Sequence, residues 1–226
     1  MISVSDRKWK EIKVNPKLIE KTQQDYNFSR ITSKLIVSRN FDEKEVYLIK
    51  NNLKLTNIFQ NNLDFINSAK LVERTIKNQE NICILGDYDV DGSAATSLLK
   101  IFFQTLKYPH FHYIPDRFND GYGASTKLFK KLILKKPKLV IMVDCGSTSI
   151  EAINFLNSNN IKSLIIDHHE IDKPYPKANA IINPKKNIGY LEYSYLCATS
   201  LTYFFLDILS KKIKCKIDLK KHLIYV

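Results

Sequence analysis

Apolar residues divide the chain into two parts with different patterns. In the first 80 or so positions they recur at helical spacing with few turn residues, and residues 42–50 and 63–77 show this most clearly. After that, short continuous apolar runs alternate with helix-like segments. We therefore predict a helical N-terminal region over residues 1–62 and an α/β domain over residues 63–226.

Four apolar runs in the second part have the length of buried strands. They cover residues 82–85, 111–114, 139–143 and 163–166. Their ends are about 23 to 29 residues apart, which is the repeat of a βαβ unit. The segments between them have helical spacing over residues 94–106, 127–134 and 150–157. Continuous apolar strands joined by helices predict an α/β fold with a parallel sheet flanked by helices.

Composition narrows the class of protein. The 226 residues include 35 basic and 23 acidic side chains, a net charge of +12. That charge suits a polyanion such as nucleic acid, although the excess of Lys with abundant Asn and Ile is better explained by composition bias. No apolar run approaches the ~18 residues of a membrane span, no secretory signal begins the chain, and the four cysteines form no C-x-x-C pair. We expect a cytoplasmic protein with reduced cysteines and no membrane partner.

A polar motif follows each predicted strand. In chain order these are Gly86-Asp87-Tyr88-Asp89-Val90-Asp91-Gly92, then Pro115-Asp116-Arg117 with Gly121-Tyr122-Gly123, then Asp144-Cys145-Gly146, and last Asp167-His168-His169. Ligands of open parallel sheets bind beyond the carboxyl ends of the strands, so we expect the motifs to meet in one cleft. An Asp after a strand is often only a helix cap, but three acidic motifs together favour a functional site.

The acidic residues of these motifs indicate a metal site. Asp87, Asp89 and Asp91 alternate along the chain, so an extended backbone would point their carboxylates the same way. Asp144 and Asp167 would add two more negative charges, and some of the five would have to protonate without a cation. Carboxylates with imidazole suit Mn²⁺ or Mg²⁺. Two such ions would support in-line hydrolysis of a phosphodiester.

The second motif offers groups that could bind a phosphate. Arg117 could hold it with two parallel hydrogen bonds, and Gly121 and Gly123 would let the backbone approach it closely. Arg117 could instead pair with a neighbouring aspartate, and the residues leave that alternative open.

These motifs resemble, in order and spacing, those of the DHH phosphoesterases. G-D-Y-D-x-D-G together with P-x-R-F-x-x-G-Y-G resembles the RecJ branch, the single-strand-specific 5′-to-3′ DNA exonucleases, over about residues 63–226. The resemblance implies hydrolysis of single-stranded DNA with Mn²⁺ or Mg²⁺, two ions in number, in DNA repair and recombination. It also implies single-strand-binding protein as a partner.

The resemblance further implies a role for each site residue. The metal-site residues would be Asp87, Asp89, Asp91, Asp144 and His168. His169 would contact the scissile phosphate or transfer a proton, and Asp167 would hold the histidine pair. Which aspartate binds which ion stays open.

The chain also departs from the family pattern. Family members carry a fourth metal-binding Asp, then a DHHA1 lobe and an OB-like lobe. Residues 219–226 resemble the lead-in to that segment, so we expect an N-terminal catalytic lobe that depends on a downstream half. Residues 197–200 read C-A-T-S where the family tends to read C-G-A-G, and Asp116 replaces the usual Asn. Two alternatives remain: a DHH phosphoesterase for short oligonucleotides or pyrophosphate, and an impaired remnant or scaffold with a nucleic-acid-facing groove.

Overall fold

A five-stranded parallel sheet forms the centre of the computed structural model, which describes residues 10–50, 56–116, 118–121, 123–186, 188–215 and 217–218. The strands are β1 (Ile82–Leu85), β2 (His110–Tyr113), β3 (Leu139–Val143), β4 (Lys162–Ile166) and β5 (Ala180–Ile182). Their order across the sheet is β2-β1-β3-β4-β5, and every neighbouring pair is parallel. The predicted α/β fold class is confirmed, and β5 is a strand that the apolar runs did not predict.

Helices precede the sheet and connect its strands. They are α1 (Pro16–Tyr26), α2 (Arg30–Ser38), α3 (Glu43–Lys50), α4 (Leu63–Lys77), α5 (Val90–Thr105), α6 (Thr126–Leu132), α7 (Ile150–Ser158) and α8 (Ala198–Lys212). Short 3₁₀ turns cover Ile133–Lys135, Pro184–Lys186 and Ile188–Tyr193. None of the helices in the described part of the chain is long and apolar enough to cross a membrane.

Most strand residues are apolar because both faces of the sheet are covered. Alternate residues of β1 face opposite sides, so Ile82 and Ile84 join one core cluster while Cys83 and Leu85 join the other. The first cluster also holds apolar residues of α4, α5 and α8, and the second holds those of α6 and α7. The edge strand β2 is the exception, with partly exposed side chains.

The chain divides into two units, one that ends at Thr56 and a larger one that begins at Asn57. The sequence places its domain boundary between residues 62 and 63 instead. Asn57 belongs to the larger unit because its side-chain amide donates a hydrogen bond to the Phe204 carbonyl at 2.9 Å. Phe59 is 1% exposed and stacks on Phe65 with ring centres 4.3 Å apart.

The order of the strands creates a crevice at one edge of the sheet. The chain runs from β1 to β2 on one side and then crosses to β3 on the other side of β1. Connections therefore leave the carboxyl ends of β1 and β3 in opposite directions, and such a switch point is where open α/β sheets bind ligands. The first and third polar motifs follow these two strands.

Candidate metal centre

Three buried carboxylates lie at the carboxyl ends of adjacent strands. Asp87, Asp144 and Asp167 follow β1, β3 and β4, and their exposed fractions are 2%, 1% and 1%. The backbone hydrogen bonds of the sheet extend one residue beyond β3 and β4. The Asp144 amide donates to the Ile166 carbonyl at 3.0 Å, and the Asp167 amide donates to the Ile182 carbonyl at 2.9 Å. The structure thus brings together three of the motifs that the sequence singled out.

Two of these carboxylates have buried oxygens without a hydrogen-bond partner. Among the described residues, Oδ1 of Asp87 and both oxygens of Asp144 have none. Burial raises the pKa of Asp87, and it raises the pKa of Asp144 to about 6. Unsatisfied buried carboxylates are unfavourable, and a divalent cation would both neutralise them and occupy their lone pairs. The donor set therefore fits a divalent metal ion.

Asp89 lies beside this pair and also caps a helix. Its Oδ1 accepts a hydrogen bond from the Gly92 amide at 2.9 Å, so it caps the N-terminus of α5. Only glycine fits at position 92, because a Cβ there would lie 2.7 Å from the Asp87 Cα. Asp87, Asp89 and Asp144 each offer a ligand atom, and these atoms lie within 4.8 Å of one another.

The histidine pair is held by Asp167. Oδ1 of Asp167 accepts hydrogen bonds from the backbone amides of His168 and His169, at 2.8 and 3.2 Å, and from Nδ1 of His169 at 2.8 Å. Oδ2 accepts from the Ser147 amide at 3.0 Å. Burial acts to raise the pKa of Asp167, but these hydrogen bonds outweigh it and lower the pKa to about 2. The ionised Asp167 in turn raises the pKa of His169 to about 9.

His168 joins two further aspartates at the centre. Its Nε2 lies 3.3 Å from Oδ1 of Asp144 and 3.6 Å from Oδ2 of Asp91. The 3.3 Å contact falls outside regular hydrogen-bond alignment, so neither Asp144 oxygen has a full partner among the described residues. The interaction still raises the pKa of His168, first as a weak hydrogen bond to Asp144 and then through the charge of that carboxylate. Asp144, His168 and His169 form a second group whose ligand atoms lie within 4.8 Å of one another. Asp144 thus belongs to both groups.

Several residues that shape the centre were not singled out as site residues. The side-chain amide of Asn183 donates to the Ser147 hydroxyl at 2.9 Å and to the His169 carbonyl at 3.0 Å, which braces the Asp167 loop. The Asp91 carboxylate accepts hydrogen bonds from the first residues of α8, including Thr199. These partners are distant in sequence. The signals that point to them are Ile182-Asn183-Pro184, which resembles the I-V-N-P segment that follows the histidine motif in the family, and the unusual C-A-T-S segment.

The loop after β2 borders the centre at both of its ends. The Gly86 amide donates to the Tyr113 carbonyl at 3.1 Å, and a Cβ on Gly123 would lie 3.8 Å from the Cys145 Cβ. Gly121 and Gly123 have φ of +83° and +67°, a region that favours glycine. Arg117, the predicted phosphate ligand, lies outside the described residues, as do Tyr122 and residues 219–226.

Asp120 braces that loop. Its carboxylate accepts hydrogen bonds from the Tyr113 hydroxyl at 2.5 Å and from Lys131 Nζ at 2.7 Å. The hydrogen bond from Lys131 is the main cause of the low pKa of Asp120, about 2. The loop therefore has a stable base, and Asp120, one of the two aspartates that neighbour Arg117 in sequence, has Lys131 as a cationic partner.

Comparison with known proteins identifies relatives of this arrangement. Residues 81–224 match the family described as DHH family, N-terminal domain. The single-stranded-DNA-specific exonuclease RecJ of Bacillus subtilis is 28% identical over 185 residues, which are 80% of this chain and 23% of the relative. RecJ of Haemophilus influenzae is 34% identical over 118 residues, 52% of this chain and 20% of the relative. The chain thus spans about a quarter or less of the length of these relatives.

Solved structures show the same fold. The structure of an exonuclease RecJ bound to manganese matches with a TM-score of 0.60 and 24% identity, and the match covers 67% of this chain and 38% of that chain. RecJ from Thermus thermophilus in complex with Mn²⁺ matches with a TM-score of 0.64 and 19% identity, over 90% of this chain and 28% of that chain.

Proposed function

The chain belongs to the DHH family, and we propose that residues 63–226 are the DHH lobe of a metal-dependent exonuclease that hydrolyses single-stranded DNA from 5′ to 3′. The observation that carries this proposal is the set of buried oxygens of Asp87 and Asp144 that lack a hydrogen-bond partner in the described part of the chain, beside a histidine pair at the switch point of the sheet. The relatives that the chain resembles are named for activity on single-stranded DNA.

In this proposal two ions share Asp144 as a ligand. The other ligands would be Asp87 and Asp89 for one ion and Asp91 and His168 for the second, and His169 is left for the phosphate. Two divalent ions, Mn²⁺ or Mg²⁺, would supply positive charge to the scissile phosphate and lower the pKa of an attacking water. Carboxylate and imidazole ligands suit both metals, and Mn²⁺ is the better match because a histidine is included.

His169 acts on the phosphate rather than as a metal ligand in this proposal. The ionised Asp167 keeps its ring protonated at neutral pH, because the pKa of His169 is raised to about 9. Nδ1 is occupied by Asp167, so Nε2 is the nitrogen that can donate a hydrogen bond or a proton to a phosphate oxygen. Ser147 and Asn183 keep the Asp167 loop in place for this contact.

Phe118 favours a nucleic acid over pyrophosphate as the substrate. It is 95% exposed on the loop that borders the centre, and Asp116 Oδ1 fixes its backbone by accepting hydrogen bonds from the amides of Phe118 and Asn119, at 3.0 and 2.9 Å. Exposed aromatic rings stack on bases of single strands, at about 1–3 kcal/mol per base. Pyrophosphate offers no base to stack on, so this residue argues against pyrophosphate as the substrate.

The proposal is tested with end-labelled DNA. The chain, in excess over a 5′-phosphorylated single strand and with Mn²⁺, should release a label at the 5′ end first, as a mononucleotide. Asp144→Asn or EDTA should abolish release, whereas Asp25→Asn, a change at an exposed aspartate of the N-terminal unit, should not. Because the 226 residues alone are predicted to act weakly, single-turnover conditions are needed.

Each other outcome contradicts a different part of the proposal. Release of a 3′ label first would refute the direction, and equal digestion of duplex DNA would refute the strand preference. Faster hydrolysis of pyrophosphate or dinucleotides would favour the small-substrate phosphoesterase. Mn²⁺ binding with no hydrolysis at any protein excess, even with the downstream half supplied, would favour the remnant or scaffold. The downstream lobes, single-strand-binding protein and a cytoplasmic location stay predictions.

A further inference from the structure

The N-terminus of α8 is capped by a side chain from another helix. Cys197, the residue before α8, makes no capping hydrogen bond with its own side chain. Instead Asp91, in the first turn of α5, accepts the Ala198 amide on Oδ2 at 2.7 Å and the Thr199 amide on Oδ1 at 2.8 Å. The carboxylate therefore takes over the role that an N-cap residue of α8 would have.

Thr199 adds a third hydrogen bond that depends on its side chain. Its Oγ1 lies 2.5 Å from Oδ1 of Asp91 and 3.0 Å from the Asp91 carbonyl oxygen. A hydroxyl has one proton, and the shorter contact to the charged oxygen is the stronger one. Thr199 is 1% exposed, so water could not easily replace this donor. The two amide bonds are available to almost any residue, but the third needs Ser or Thr.

The donors are distributed unequally over the two oxygens of Asp91. Oδ1 accepts two of them and Oδ2 accepts the Ala198 amide, and the Cys197 thiol is a further, weaker partner of this carboxylate. Each carboxylate oxygen has two lone pairs, and a thiol is a weak donor that a divalent cation would displace, so Oδ2 can bind a cation beside the Ala198 amide. Oδ2 is also the oxygen that lies 3.6 Å from His168 Nε2.

We propose that Thr199 is a positioning residue for the metal centre, because its hydroxyl holds the Asp91 carboxylate so that Oδ2 shares an ion with His168. This inference rests on the proposed function, which supplies the ion. Hydrogen bonds to a metal-binding carboxylate fix its orientation, and loss of such a partner typically weakens metal affinity about 10- to 100-fold.

Three variants of the full chain test the role of the hydroxyl. Thr199→Val removes it at constant shape, and Thr199→Ser keeps it. Thr202→Val is the matched control, because Thr202 is a buried threonine of the same helix whose Oγ1 has no hydrogen-bond partner in the described chain. Mn²⁺ titration followed by electron paramagnetic resonance measures each binding step, and circular dichroism checks that each variant folds.

We expect Thr199→Val to weaken one of two Mn²⁺-binding steps about 10- to 100-fold and to leave the other within about threefold of wild type. Thr199→Ser and Thr202→Val should bind as wild type does. If Thr199→Val does not fold, Thr199→Ala takes its place, because it removes the same hydroxyl without putting a methyl group in that position.

Three results would overturn the inference. Unchanged Mn²⁺ binding in Thr199→Val would show that the hydroxyl does not position Asp91. Equal weakening of both steps, or equal weakening in Thr199→Ser, would show a structural effect of position 199. Absence of Mn²⁺ binding in the wild-type chain would refute the metal centre itself, a failure of the proposed function that the variants could not produce.

Discussion

Replacement of Asp144 by Asn tests whether the buried carboxylates need a cation. Asp144 is 1% exposed, neither of its oxygens has a hydrogen-bond partner among the described residues, and burial raises its pKa to about 6. A rise from the ordinary value of 3.8 to about 6 disfavours the ionised form in the folded chain by about 3 kcal/mol. Asn has the same shape without the charge, and it tolerates the φ of +60° found at this position.

The sign of the effect follows from proton binding. Because the pKa of Asp144 is higher in the folded chain than in the unfolded chain, the folded chain binds more protons between about pH 4 and pH 6. Wild-type stability therefore falls as the pH rises through that window. In EDTA at about pH 8 we expect Asp144→Asn to raise the free energy of unfolding by up to about 3 kcal/mol, and near pH 4 the difference should vanish.

Urea unfolding followed by circular dichroism measures both values. Added Mn²⁺ should reverse the order, because it binds the folded wild-type chain and stabilises it by about RT ln(1 + [Mn²⁺]/Kd), whereas the variant has lost a shared ligand. Asp25→Asn should behave as wild type under every condition. Lower stability of Asp144→Asn than of wild type in EDTA at about pH 8, or equal stabilisation of both chains by Mn²⁺, would show that Asp144 does not need a cation.

Three further predictions concern other parts of the larger unit. The raised pKa of His169 stabilises the folded chain below about pH 6.5, and this stabilisation is lost as the pH rises through about 9. Asp167→Asn should move the pKa of His169, measured by NMR titration, back toward 6.5, and a midpoint still near 9 would contradict the pairing. Phe118→Ala should weaken binding of single-stranded DNA about 5- to 150-fold, measured by fluorescence anisotropy. Phe118→Trp and the exposed control Leu134→Ala should bind as wild type does. Wild-type affinity of Phe118→Ala would show that Phe118 does not stack on a base. Phe59→Ala should lower the free energy of unfolding by about 3–5 kcal/mol in urea, and a loss below about 1 kcal/mol would show that Phe59 is not part of that core.

The sheet and the meeting of its motifs could be predicted because both depend on local patterns. Strands β1 and β3 are continuous apolar runs and the last three residues of β4 are apolar, since helices cover both faces of the sheet, and parallel strands end at one edge. Asp144 and Asp167 follow their strands directly and Asp87 follows one residue later, so their convergence required no knowledge of side-chain contacts. The same rule gave no indication of β5, whose three residues are too few for a recognisable run.

Contacts between distant parts of the chain could not be predicted. The hydrogen bond of Asn183 to Ser147 joins residues 36 apart, and no periodicity relates them. The hydrogen bond of Asn57, the first residue of the larger unit, to the Phe204 carbonyl joins residues 147 apart. The positive φ of Asp144 also has no sequence signal, since Asp is common in many turn conformations.

The cap of α8 by Asp91 has a consequence for synthesis of the protein. The hydrogen bonds join residues 107 and 108 positions apart, so α5 leaves the ribosome well before the helix that its aspartate caps. At about 5–20 residues per second, this interval lasts roughly 5 to 20 seconds. Once residue 169 has been added, the nascent chain contains the first acidic motif, the Asp144 motif and the histidine pair, yet Asp91 still lacks the donors that orient it. A ribosome stalled between residues 169 and 198 therefore holds a chain in which these motifs are present but the Asp91 carboxylate is not yet fixed.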